Sequence, residues 1–283
     1  IIEAADGATN TTLNLKAGSG IGTAGNPILT DVHTLSALIN PNSGGSIYLT
    51  QQSIDLTIDS LTTQSGSIFF THNGVGARIT INDVFVDNRG ASKGTISITT
   101  NGDLTIIADD NNYGIEAYNT DVSITNSGAG AEVFLILGMF VDNREDSIAD
   151  IVITASLDTT RRAVVAGLRA YNANMDINIT NSSFGASTLG VISIDNSEGD
   201  KGSLDITLDN NGASYLQSVT VLNTDVNITG LGGGPVNITG LSMDNIGQGE
   251  FADLTLNTSD TPMILTGLEA YNTNVTFEGS SSS

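Results

Sequence analysis

Cysteine and tryptophan are absent from the 283 residues. Without cysteine there are no disulfide staples and no zinc sites built on thiolates, and the redox compartment is left open. Basic residues are scarce: 9 Lys and Arg stand against 31 Asp and Glu, a formal net charge of −22. Nucleic acid needs a basic face, so it is not expected as a partner. Long apolar runs are missing as well. The longest, 133–141, holds nine residues between Glu132 and Asp142, too short to cross a bilayer, so no membrane insertion is expected. The chain opens Ile1-Ile2-Glu3, with neither a Met nor a charged leader. Both ends fall in mid-pattern, which reads as a segment of a longer protein.

What the sequence does have is a repeat. Val84-Phe85-Val86-Asp87-Asn88 returns seven times, ending at Asn119, Asn143, Asn172, Asn196, Asn223, Asn245 and Asn272. In every copy the residues four and two places before the Asn are apolar. Successive Asn positions lie 31, 24, 29, 24, 27, 22 and 27 residues apart. A recurring unit of this length signals a stacked architecture. Within a unit the apolar period is two, as in Ile115 and Ala117 before Asn119, then Val122 and Ile124 after it. That alternation turns one set of side chains inward and the other to water.

These features predict an all-β fold: a right-handed parallel β-helix with coils of about 21–31 residues, stacked ~4.8 Å apart. A β-sandwich is the runner-up, but it does not require the same Asn at each corner. Asn88, Asn119, Asn143, Asn172, Asn196, Asn223, Asn245 and Asn272 are read as an internal ladder. Each would take the left-handed conformation of a corner and pair its amide with the next Asn and with corner main-chain groups. Residues 1–40 are expected to be a lead-in, with a short helical turn capped by Thr30 and running from Val32 to Leu35. The shaft is expected over 41–283, as short opening coils to 88 and paired coils beyond.

The pairing comes from the residue before the Asn. It alternates Asp87, Tyr118, Asp142, Tyr171, Asp195, Leu222, Asp244, Tyr271. The units after Asp are the longer ones, and their extra residues, such as Arg89 to Lys93, predict a small charged loop on every second coil. Tyr118, Tyr171 and Tyr271 form an outward aromatic stripe suited to sugar rings or a neighbouring filament. The alternative is a loop of the same chain folded over it. Asp87, Asp142, Asp195 and Asp244 are weak calcium candidates, because two coil steps, ~9.6 Å, separate them beyond the reach of one ion.

A resemblance enters through the N-terminal quarter. Ala17-Gly-Ser-Gly-Ile-Gly-Thr-Ala-Gly-Asn-Pro27, Thr30-Asp-Val32, Leu35-Ser-Ala37 and Gly45-Ser-Ile-Tyr-Leu49 resemble an element of filamentous-haemagglutinin-type exoproteins and giant bacterial surface adhesins. The likeness covers roughly 15–73. It implies a secreted β-helical shaft displayed at the cell surface or in biofilm matrix. The partners it implies are copies of itself, laterally or end to end, or surface and matrix glycans. No secretion domain and no Arg-Gly-Asp motif accompanies it.

Other motifs weigh less. Gly20-Ile-Gly-Thr-Ala-Gly25 matches a dinucleotide pattern, but Pro27 follows and no βαβ unit surrounds it. Asn119-Thr-Asp121 and Asn223-Thr-Asp225 resemble one element of polygalacturonases, and Asp109-Asp110 resembles another. The companion elements are missing, the only histidines are His33 and His72, and the Asn-Thr-Asp units obey the repeat. No catalytic role is therefore expected, and the alternatives are an enzyme acting on extracellular polysaccharide or a calcium- or glycan-binding module. Threonine ladders resemble ice-binding solenoids, yet no Thr-x-Thr face persists over many coils.

Overall fold

The computed structural model describes residues 2–3, 10–41, 43–108, 113–128, 131–145, 147–158, 162–259 and 261–279. Among them there is no helix, so none is long and apolar enough to cross a membrane. The chain is a parallel β-solenoid of about 11 turns. A short strand such as Gly94–Thr100 turns Ile96 and Ile98 inward and leaves Ser97 and Thr99 outside. Its N–H and C=O groups need partners on both edges, and copies of the same unit supply them. Gly94–Thr100 pairs in parallel with Ile68–His72 on one side and Thr120–Asn126 on the other. Every pairing between strands is parallel, which excludes the sandwich. Ile47 pairs with Ile68 and Val84 with Ile115, giving turns of 21 to 31 residues.

Twelve strands form one sheet, from Ile2–Glu3 to Thr273–Gly279. The second sheet has two arms. Some coils build the arms from separate strands, such as Arg78–Ile81 and Val84–Asp87, or Ser187–Leu189 and Ile192–Asp195. Others run straight through, as in Phe134–Asp142, Ala163–Tyr171 and Ser214–Leu222. These three, with Val236–Asp244 and Met263–Tyr271, bend in the middle at a residue with positive φ: Gly138, Gly167, Ser218, Gly240 and Gly267. Inward Ile, Val, Leu, Ala and Met from all three sides fill a continuous core. Burying each large aliphatic side chain is worth ~1.5–3 kcal/mol. On the last rung Val275 and Phe277 keep the inward parity but are 40 % and 68 % exposed, because no described coil covers them.

The helical turn after Thr30 does not form. Ile28–Asp31 and Thr34–Ile39 are strands, and Thr30 donates its hydroxyl to Gln51 Oε1 at 2.8 Å. Thr34–Ile39 pairs residue for residue with Thr12–Ala17. Neighbouring coils thus impose strand on a segment whose local signals allowed a turn.

Candidate functional site: the corner, its loops and the bent face

The eight corner asparagines are joined through the main chain. The N–H of Asn88 donates to Tyr118 O, that of Asn119 to Asp142 O, and so on to Asn245 and Tyr271 O. Seven are buried, and Asn272, on the last rung, is partly so. They divide into two kinds, which the sequence reading did not anticipate. Asn119, Asn172, Asn223 and Asn272 have φ between 47° and 52°, whereas Asn88, Asn143, Asn196 and Asn245 do not have positive φ.

The left-handed set reaches back through Nδ2 to main-chain oxygens. Asn119 donates to Asn88 O at 3.3 Å and Ala91 O at 3.0 Å, Asn172 to Asn143 O at 3.0 Å, and Asn223 to Asn196 O at 3.1 Å. In the other set, Asn143, Asn196 and Asn245 accept through Oδ1 from the N–H of Thr120, Ala173 and Thr224, at 3.0, 2.7 and 3.2 Å. The bonds described for these amides run to main chain and threonine hydroxyls, and the expected amide-to-amide contact is not among them. A main-chain partner is fixed by the stacking itself, whereas two facing amides would both have to be oriented.

The aspartate explains why its asparagine needs no left-handed step. Asp87 Oδ1 accepts the N–H of Arg89 at 3.1 Å, and Asp142, Asp195 and Asp244 accept from Arg144, Ser197 and Ile246 in the same way. The carboxylate closes a turn of its own and launches the loop. Arg89 then grips Asp87 with Nε and Nη2 at 2.9 and 2.7 Å, and Arg144 grips Asp142 at 3.0 and 2.7 Å. The Arg89 hydrogen bond holds the Asp87 carboxyl below the usual range. At Asp142 burial pushes upward, and the Arg144 bonds outweigh it.

Each guanidinium also covers the tyrosine of the next coil. Arg89 lies 4.1 Å from the Tyr118 ring centre and Arg144 4.3 Å from that of Tyr171. Phe85, Tyr118, Phe140 and Tyr171 form an edge-to-face file at 6.2, 5.8 and 6.0 Å. Burial, then the Glu116 carboxylate that accepts its hydroxyl at 2.6 Å, raises the Tyr118 pKa to about 12. In the last pair Ile246 stands where the arginine would, and Tyr271 is 50 % exposed. Two tyrosines of the stripe are therefore covered by their own chain, and Tyr271 lies on the last described rung, where no further coil packs on it. Among the described residues no group of three His, Cys, Asp or Glu is arranged to hold a metal ion.

The Asn-Thr-Asp units have a mechanical setting. Lys93 Nζ lies 2.6 Å from Asp121 Oδ1, one coil on, and donates at 2.7 Å to Ile148 O, two coils on. Lys201 repeats this with Asp225 Oδ1 at 2.8 Å and Phe251 O at 3.2 Å. The same carboxylate oxygens accept the N–H of Asp150 and Asp253. In the intervening coils Asn174 and Asn274 donate to Asp150 and Asp253 instead. This edge is stitched with a period of four coils, longer than the two-coil period evident in the sequence. Asp109 and Asp110 lie outside the described residues.

Some features escaped the sequence reading. Gln51, His72, Thr100 and Asn126 stack inside the first sheet as a buried polar column. His72 accepts the Gly74 N–H on Nδ1 at 3.2 Å, so Nε2 carries the proton to Ile54 O at 3.1 Å. Among the described residues His33 meets the Thr11 hydroxyl and N–H through Nδ1. Thr50, Thr71, Thr99, Thr125 and Thr154 form one outward file, but the file beside it is Tyr48, Phe69, Ser97, Ser123 and Val152. The bend column was legible and missed: five of the eight residues five places before the corner Asn are glycine.

Where the bend faces solvent it forms a groove of about 650 Å³ in the last three full coils. Gln217 and Thr239 project from one arm and Thr220, Ser242 and Glu269 from the other, with Ser218, Gly240 and Gly267 on the floor. No family model, curated protein or solved structure matches this chain.

Proposed function

We propose that this chain is a shaft segment of a large secreted filamentous surface protein, which extends and spaces adhesive or assembly-forming contacts outside the cell. The observation that carries the reading is the uninterrupted parallel pairing of each coil with the next, over about 11 turns or ~50 Å. Pulling such a rod along its axis loads every rung's hydrogen bonds together. The lysine stitches and back-reaching asparagines fasten coils that the backbone already joins. Outward positions carry Ser, Thr, Asn and Asp, which suits a surface held in water. The likeness of 15–73 to filamentous exoproteins supports the compartment. Asp121 and Asp225, the carboxylates of the enzyme alternative, are engaged by lysine and main chain, which favours the structural reading.

Antibodies raised against this chain test the proposal by immunogold labelling of intact producing cells. Gold on surface filaments is expected. Gold confined to the cytosol of sectioned cells would end the reading.

A further inference from the structure

The groove over the bend gathers unbonded polar side chains into one concavity. Some outward polar side chains bond across coils, as Asn174 does to Asp150 and Asn237 to Ser214 O. Among the described residues Gln217, Ser218, Thr220, Thr239 and Ser242 have no such partner, nor has Glu269 on the last described rung. Their hydroxyls, amide and carboxylate face the groove unspent, one coil step of ~4.8 Å apart along the axis.

The floor holds a second irregularity. At the bend the left-handed conformation falls to glycine in four coils and to Ser218, φ 57°, in one. A serine costs ~1–2 kcal/mol there, which glycine would avoid. Strain of this kind, kept beside a cavity, points to use of the side chain. Tyr215 stands 39 % exposed on the neighbouring outward position, with a flat apolar face and no described hydrogen bond.

We propose that this groove binds an uncharged polysaccharide chain lying along the solenoid axis. Unspent hydroxyls, an amide and a carboxylate match sugar hydroxyls, which both donate and accept. Tyr215 supplies a platform for a ring face. No Lys or Arg lines the groove and Glu269 does, in a molecule of charge −22, which disfavours uronate and sulfated chains. An extended peptide lying along the axis is less suited: it would cross the strands at right angles and could not pair with their main chain. The proposal is independent of the shaft reading, since a groove on a cytosolic solenoid would bind the same chain.

The test is affinity electrophoresis of the whole chain through gels containing mannan, β-glucan or xylan, with polygalacturonate, heparin and an extended polypeptide as comparators. Retardation by at least one uncharged polymer is expected. Tyr215→Ala should weaken it about tenfold, or ~1.4 kcal/mol. Gln217→Ala should weaken it too, and the distant Arg89→Ala should not. Ser218→Gly separates use from folding: the melting temperature should rise while binding falls. Retardation by no uncharged polymer, retardation only by the charged or peptide comparators, or binding untouched by Tyr215→Ala and Gln217→Ala would each overturn the proposal.

Discussion

Two asparagines one coil apart, Asn119 and Asn143, occupy the same corner and do different work. Asn119 combines a left-handed backbone with two amide bonds to neighbouring main chain, whereas Asn143 has ordinary φ and accepts one N–H. Both alanine and glycine delete the bonds, but only glycine tolerates the left-handed backbone freely. Asn119→Gly should therefore be more stable than Asn119→Ala, by ~1–2 kcal/mol. At Asn143 the order should reverse, with glycine worse by ~0.5–1 kcal/mol. Chemical denaturation of the four variants decides this, and an equal order at both sites would refute the two-kind corner.

His72 supplies a pH dependence at the same scale. Burial lowers its pKa from 6.5, and the bond to Ile54 O and the charges of Asp31 and Asp55 only partly oppose this. Between the lowered folded value and 6.5 the unfolded chain binds more protons, so this stability is full above 6.5 and lost as pH falls through the window. Within that window each pH unit removes up to ~1.4 kcal/mol. Melting curves between pH ~7.5 and ~5 should show a steeper decline for the wild type than for His72→Gln. Parallel curves would show that His72 is not the titrating group.

At the scale of the element, the lysine stitch and the aspartate it meets are unequal. The Lys93 and Asp121 side chains are 24 % and 33 % exposed, so the ion pair alone is worth ~0.5–1 kcal/mol and weakens with salt. Asp121 also accepts the Asp150 N–H, and its loss strands that donor. Asp121→Ala should cost about 1 kcal/mol more than Lys93→Met, and that difference should persist in high salt, where the ion-pair share of both penalties shrinks. Equal penalties at all ionic strengths would reduce the stitch to a simple ion pair.

The whole molecule behaves as a stack of coil pairs. Excising 143–195 joins Asp142 to Asn196 and removes one Tyr coil and one Asp coil together. Alternation survives, so the shortened rod should fold cooperatively and lose only its share of rungs. Excising 143–171 joins Asp142 to Asn172, sets two Asp coils side by side and puts a left-handed corner where a loop should leave. That variant should melt well below the other despite keeping more residues. Circular dichroism melts of both compare them directly, and the opposite order would show that the single coil is the unit.

The repeat of apolar residues four and two places before an asparagine determined the parallel stack, its inward face and the alternation of coils. Those follow from period-two burial, which a single strand declares by itself. The 21-residue echo of Gly45-Ser-Ile-Tyr-Leu49 at Gly66 likewise placed the early coils. Only the tertiary structure decided which asparagines turn left-handed, that Arg89 and Arg144 close over Tyr118 and Tyr171, and that a groove opens over Ser218. It also turned the segment after Thr30 from an expected helical turn into strand. These depend on which side chain of one coil meets which of the next, a vertical adjacency fixed by loop lengths and bends, and no single coil's sequence carries it.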